Sequence, residues 1–275
     1  MQPVQIDWLQ AVVLGIVQGL TEFLPISSNA HQLLVGLALG WGDPGAAFVA
    51  VTQIGTEAAV LLFFRKDIVG IVRALVRSIR SRSAVDDEAQ LAWFVAIGSL
   101  PIGIIGFLAK DFVEGPARNT AFVGTTLVLG ALFLQFADSR VRSERALGAL
   151  TVRLALILGL GQSLALIPGV SRSGATIATA LLLGFSRSAA TRYSFLLAIP
   201  AVLASGAYEL TKIGDDTVAW GPTIVGTVVA FGVGLAVIAW LLRFVQTHTF
   251  RGFVIYRLLL GTVVLGATAT GLLGA

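Results

Sequence analysis

Two segments of this chain interrupt long apolar runs with a proline, several hydroxyls and an ionisable side chain. They constrain the fold more than any other feature. The first reads Glu22-Phe-Leu-Pro25-Ile-Ser27-Ser28-Asn29-Ala30-His31, and the second Pro168-Gly-Val-Ser171-Arg172-Ser173-Gly174-Ala-Thr176. The surrounding runs are about twenty residues long, the length that crosses a bilayer as helix and about twice that of a membrane strand. A charge at the centre of such a helix costs roughly 2.5–3.5 kcal/mol, so these side chains need a partner, a cavity or a function. Hydrophobic residues make up 56% of the chain and charged residues 12%, and the mean hydropathy is +0.88. The expected fold class is an all-α polytopic membrane protein. The chain has no cysteine, so neither a disulfide framework nor a thiolate metal site is available. Its first residues show no basic region and no small-residue cleavage site, so no removed signal peptide is expected.

Basic residues cluster at Arg65, Lys66, Arg73, Arg77, Arg80 and Arg82, at Arg140, Arg142 and Arg145, and at Arg243 and Arg251. The positive-inside rule assigns these loops to the cytoplasm. The pI near 10 therefore reports topology, and no nucleic-acid partner is expected. The linkers around Asp111 to Arg118 and Thr211 to Trp220 carry few basic residues and several acids, and fall outside. Full crossings are expected at 46–64, 90–109, 119–137, 189–210, 221–242 and 253–272. The stretches 8–40 and 153–185 are each too long for one helix and too interrupted for two spans. Each reads as a re-entrant hairpin of two half-helices, which a bilayer tolerates only where protein or water covers the broken backbone.

The hairpins also look alike. Gly15-x-x-Gln18-x-Leu20 leads to Pro25 as Gly159-x-x-Gln162-x-Leu164 leads to Pro168, and Leu39-Gly40-Trp41 matches Leu183-Gly184-Phe185. The offset is near 144 residues. This suggests a single membrane domain over 1–275, with repeat one at about 1–137 and repeat two at about 151–275. Each repeat is a hairpin plus three crossings, so the topology inverts between them and the two polar tips meet near the midplane.

The two segments resemble the signature segments of the bacterial undecaprenyl-diphosphate phosphatase family, integral-membrane phosphatases linked to bacitracin resistance. The resemblance covers nearly the whole chain, including Phe63-Phe-Arg-Lys-Asp67 and Tyr193-Ser-Phe-Leu-Leu-Ala-Ile-Pro200. It departs at Gln18, where some members carry a second glutamate, which leaves open a metal or acid/base role shared by two carboxylates. Asn29-Ala30 is a milder departure from Thr-Gly or Ser-Ala. The resemblance implies hydrolysis of the terminal phosphate of a C55 polyprenyl diphosphate at the outer face of the bacterial cytoplasmic membrane. It also implies a divalent cation and recycling of the lipid carrier for cell-wall synthesis.

The residues suit that chemistry. Arg172 can grip phosphate oxygens bidentately, and half-helices beginning after each tip aim free N–H groups and a positive dipole end at an anion. Ser27, Ser173, Gly174 and Thr176 are the candidate substrate-binding residues, with Ser173 and Thr176 on one helical face. Glu22 is the candidate ligand of Mg²⁺ or Ca²⁺, hard cations that prefer carboxylate and phosphate oxygen. If the helix resumes near Ser28, His31 lies one turn on, within reach of its hydroxyl, as a base for a serine nucleophile. Water attack and a nucleophilic His31 stay open. Ser171 reads as a helix cap. Glu57, with Gln53 on the same face, is a candidate for the cavity lining, and His248 reads as solvated.

A rival reading is an inverted-repeat carrier or flippase for a phosphorylated lipid or anion. An intramembrane serine protease fits less well, because Gly169-Val-Ser171-Arg172-Ser173 lacks the second glycine of a nucleophile elbow. The partners expected are the polyprenyl diphosphate and membrane lipids, anionic ones along the Arg-rich loop after Lys66; a homodimer is one option for the oligomeric state. The topology is testable because the chain has no native thiol. Cysteines introduced at Gln2 and Ala275 should label from outside with an impermeant reagent, and one at Ala84 from inside. Opposite sidedness of Gln2 and Ala275 would overturn the two-hairpin arrangement.

Overall fold

The computed structural model describes residues 6–81, 86–114, 119–141, 145–212 and 219–273. Among these there is no strand beyond one isolated bridge between Arg145 and Phe185. The α-helices are, in chain order, α1 (Trp8–Thr21), α2 (Ser28–Ala38), α3 (Ala46–Phe63), α4 (Arg65–Ser81), α5 (Asp87–Glu114), α6 (Thr120–Ser139), α7 (Val152–Ser163), α8 (Arg172–Leu182), α9 (Arg187–Lys212), α10 (Trp220–Phe244) and α11 (Arg251–Ala269). Six of them, α3, α5, α6, α9, α10 and α11, are long and apolar enough to cross a bilayer. The chain is an all-α, multi-pass membrane protein. The crossings match those expected from sequence, with the largest difference at the C-terminal end of α5.

The hairpin helices are short for a physical reason. With 14 and 11 residues in α1 and α2, and 12 and 11 in α7 and α8, the longest rises about 21 Å at 1.5 Å per residue. A bilayer core is about 30 Å thick, so these helices are too short to cross it. Their outer ends are capped by their own sequence. Asp7 and Gln10 form a reciprocal capping box, with Gln10 N donating to Asp7 Oδ1 at 2.8 Å and Asp7 N to Gln10 Oε1 at 3.1 Å. Thr151 Oγ1 accepts from Leu154 N at 3.3 Å at the start of α7.

The 65–89 segment, expected as a loop, is largely helix α4. Ile68, Ile71 and Ala74 recur at helical spacing and pack inward, while Val69, Val72, Val76 and Ile79 stay exposed among the arginines. Arg82, Arg118, Arg142 and positions 213–218 of the sequence-based topology lie outside the described residues.

The helices sort by burial. In their most apolar windows 61% of α9 is buried but only 11% of α5, so α9 is an interior helix and α5 faces lipid. The main core gathers around α8 and α9, where Phe23 from the first tip meets Phe195 edge-on at 5.4 Å. Local features recur 144 residues apart. Ser27 and Ser171 have φ of 74° and 73°, Gly40 and Gly184 have φ of 70° and 85°, and Gln18 and Gln162 are both fully buried. Helix α1 packs along α10, while α7 packs along α5. Both crossings close to backbone contact, because a Cβ on Gly15 would run into the Gly226 carbonyl and one on Gly159 into the Gly98 carbonyl.

The Gly159 contact is against backbone that cannot swing aside. Gly159→Ala should therefore cost about 1–3 kcal/mol as overpacking, seen as a lower thermal midpoint in detergent. Gly232→Ala, where a Cβ meets nothing within 4 Å, should leave the midpoint unchanged or raise it.

Candidate active site at the hairpin tips

Glu22 is the hub of the site. It follows α1 directly, is nearly fully buried, and accepts hydrogen bonds from four side chains. Its Oε2 accepts from Gln18 Nε2 at 2.9 Å and from Ser28 Oγ at 2.6 Å. Its Oε1 accepts from Arg172 Nη2 at 2.7 Å and from Gln53 Nε2 at 3.4 Å. The donors come from α1, α2, α3 and α8, so one carboxylate ties both hairpins to a crossing helix. Gln32 extends the chain by donating to Gln18 Oε1 at 3.2 Å.

Arg172 opens α8 and reaches back across the tip. Besides Glu22 it contacts Glu57 of α3, from Nη2 at 3.3 Å and Nη1 at 3.4 Å, both to Oε1. Glu57 is 1% exposed, and its Oε2 has no partner among the described residues. The sequence suggested Glu57 as a cavity-lining residue. It lies instead against Arg172 and reaches the cavity only through it.

Both tips turn on a serine held at positive φ, a conformation costing a non-glycine residue about 1–3 kcal/mol. Ser171 behaves as the cap expected of it, accepting from Gly174 N at 3.2 Å. Ser27 makes no side-chain cap, so it leaves the first amides of α2 uncapped, and Ser27, Ser28 and Asn29 all line the cavity. A helix end of this kind is one that can receive an anion.

His31 does not reach Ser28 as the spacing suggested. Its Nδ1 lies 2.7 Å from the Ser27 carbonyl oxygen, and since a carbonyl only accepts, Nδ1 carries the proton. Nε2 of the neutral ring then accepts from the Tyr256 hydroxyl at 2.7 Å, with the two rings stacked. The residue one turn on from Ser28 thus points at α11, and Ser28 gives its hydrogen bond to Glu22.

Three expected substrate contacts also find other partners. Ser173 Oγ donates to the Leu24 carbonyl at 2.9 Å and Thr176 Oγ1 to the Arg172 carbonyl at 2.9 Å. Gly174 faces the Arg257 guanidinium. Helical phase turns positions 173 and 174 inward when Arg172 faces the cavity, whereas Thr176, one turn on from Arg172 on the same face, is buried and spends its hydroxyl on the Arg172 carbonyl. Of the second segment's candidates, only Arg172 lines the cavity.

Arg257 was missed in the sequence, although an arginine inside an apolar α11 is the signal that marks it. It is fully buried. Nη1 donates to the Pro25 carbonyl at 3.1 Å, and Nη2 to those of Gly169 and Val170 at 3.0 Å each. One guanidinium therefore satisfies broken backbone from both tips, with no carboxylate in ion-pair contact among the described residues.

The cavity holds about 810 Å³. At one end it is lined by Glu22, Ser27, Ser28, Gln53 and Arg172. Its walls are mostly apolar and come from α5, including Leu100, Ile104 and Phe107, and from α9, including Pro200 and Val202, with Ser99 and Ser205 as polar exceptions. The α5 wall continues onto the lipid-facing surface, where Phe107 is 76% exposed.

Residues 11–263 match the family described as "Bacitracin resistance protein BacA". The chain belongs to this family. Its relatives include a protein of Nocardioides sp. (strain ATCC BAA-499 / JS614) named undecaprenyl-diphosphatase, 52% identical over 98% of this chain and 100% of the relative. Proteins of the same name in Streptomyces griseus and Renibacterium salmoninarum are 53% and 50% identical, over 94% and 98% of this chain and 93% and 99% of their own length. In this BacA-family chain the two tips, the cavity and Arg257 all fall inside the matched region.

Arg257→Leu should strand three carbonyls in an apolar setting, at about 1–3 kcal/mol for each group left unpaired. A large fall in thermal midpoint is expected in micelles. Arg257→Lys should recover only part of it, since an ammonium lacks the fork that spans both tips.

Proposed function

We propose that the protein hydrolyses undecaprenyl diphosphate to undecaprenyl phosphate and inorganic phosphate, returning the lipid carrier to cell-wall synthesis. The observation that carries this reading is the division of the cavity into a charged end and apolar walls. A polyprenyl diphosphate is divided in the same way, into a densely anionic head and an isoprenoid tail. The name shared by the BacA-family relatives, undecaprenyl-diphosphatase, points to the same substrate.

In this reading Arg172 grips the terminal phosphate and the start of α2 offers it backbone donors. Ser28 Oγ attacks the terminal phosphorus, and the bond to the bridging oxygen breaks with its electron pair leaving on undecaprenyl phosphate. Glu22, already accepting from Ser28 at 2.6 Å, takes the serine proton and passes it to the leaving phosphate. Water then attacks the phosphoserine, its proton returns through Glu22 to Ser28 Oγ, and inorganic phosphate departs. His31 acts on geometry, holding the strained Ser27 carbonyl from one nitrogen and Tyr256 from the other.

A divalent cation, Mg²⁺ or Ca²⁺, suits the Glu22 carboxylate with the Ser28 hydroxyl oxygen beside it. Among the described residues no group of three or more His, Asp or Glu could hold such an ion alone. Glu22 would hold it together with substrate phosphate oxygens. When bound it neutralises charge on the diphosphate.

The membrane is the bacterial cytoplasmic membrane, with the basic loops inside and the site facing out. The two halves are inverted repeats, a reading supported by the 144-residue recurrence and by the crossed packing of α1 on α10 and α7 on α5. Helix α4 lies along anionic lipid, its exposed valines set between arginines.

Purified protein in micelles, where no gradient exists, should release inorganic phosphate from a polyprenyl diphosphate when Mg²⁺ is present. Lipid binding without phosphate release under any divalent ion would favour the carrier instead. Arg172→Lys should lose at least about tenfold in turnover, because the planar fork is gone. Ser28→Ala should cost about 10²-fold or more as loss of the nucleophile, and Glu22→Gln should remove turnover and its metal dependence together. Near-normal rates in Ser28→Ala would transfer the attack to water.

A further inference from the structure

Two buried carboxylates share one guanidinium at the tips, and the sharing leaves charge over. Arg172 stands 2.7 Å from Glu22 and 3.3 Å from Glu57, with side-chain exposures of 14%, 3% and 2% respectively. With both carboxylates ionised the trio would carry one net negative charge where water is scarce, and Glu57 Oε2 is buried without a partner among the described residues. Burying an uncompensated charge is costly, so this arrangement is short of a cation.

We infer that Glu57 is the second carboxylate of the cation site, and that it couples cation binding to diphosphate binding. This rests on the phosphatase reading above. A phosphate approaching alone meets two carboxylates beside Arg172. A divalent cation approaching alone meets the guanidinium. With both present, Arg172 would turn its fork to the phosphate, and the carboxylate oxygens of Glu22 and Glu57 that it gives up would be free to hold the cation. Each ligand removes the other's obstacle, so each tightens the other by the same factor. Arg172 therefore serves as a built-in counter-ion while the site is empty of substrate, and Glu57 is the group through which the exchange becomes mutual. Gln53, one turn earlier on α3 and already donating to Glu22, keeps the α3 face against the site throughout.

The test is the affinity of the full-length protein in micelles for a prenyl diphosphate analogue whose bridging oxygen is replaced by methylene. It is measured with chelator and again with saturating Mg²⁺. Mg²⁺ should tighten binding to the native protein about tenfold or more, within the usual range of coupling between sites. In Glu57→Gln, which keeps the side chain's shape, the tightening should fall below about threefold. Glu57→Asp keeps the charge but withdraws it by one methylene, so it too should lose most of the effect if Glu57 is a ligand rather than a distant counter-ion. Any complex of Mg²⁺ with analogue free in solution contributes equally to all three proteins. Undiminished tightening in either variant, or none in the native protein, overturns the inference. Phosphate release by the native protein from the cleavable lipid, run in parallel, separates the two readings. Release without coupling defeats only the role of Glu57, whereas coupling without release defeats only the phosphatase.

Discussion

The structure depends on satisfying backbone that is broken at membrane depth. A helix that stops inside a bilayer exposes carbonyl and amide groups that hydrocarbon cannot satisfy, and each costs several kcal/mol if left alone. This chain stops two helices there, after Thr21 and after the turn following Ser163. Arg257 meets the cost from a third element, giving its hydrogen bonds to carbonyls of both tips. Ser173 adds a bond to the Leu24 carbonyl, and Thr126 of α6 adds one to that of Pro168. Polar side chains that look like substrate ligands in the sequence are therefore partly the internal solvent of the tips.

Once the tips are held together, the reactive groups follow. Glu22 and Ser28 belong to the first tip and Arg172 to the second, and they meet because the strained turns at Ser27 and Ser171 aim α2 and α8 away from their junction. Each helix thereby begins at the site and brings its positive end there. The carboxylates of Glu22 and Glu57 are tolerable at this depth because Arg172 stands with both. A lone carboxylate would be far more costly.

The apolar half of the cavity is a consequence of packing. Helix α9 is enclosed by the core while α5 is left at the rim, so the space between them has one wall continuous with lipid. Glycine contacts at Gly15 with Gly226 and Gly159 with Gly98 let the short helices lie close against α10 and α5. A side chain at either contact would force α1 off α10 or α7 off α5.

Sequence alone determined the membrane class, the six crossings and the two broken hairpins, because apolar length and proline-hydroxyl interruptions are local properties that bilayer thickness converts directly into structure. It also determined Glu22, Ser28 and Arg172 as candidates, since an ionisable or hydroxylic side chain in an apolar run stands out without knowledge of its neighbours. Only the tertiary structure decided which groups meet. Helical phase turned Ser173 and Gly174 inward, Thr176 spent its hydroxyl on the Arg172 carbonyl, Tyr256 drew His31 away from Ser28, and Glu57 came to Arg172 across 115 residues of chain. The Arg257 contacts were equally hidden, because their acceptors are backbone carbonyls, which every residue has and no sequence pattern marks. Hydrogen bonds of this kind depend on directions fixed to within an ångström by packing, and spacing along a chain does not carry that information.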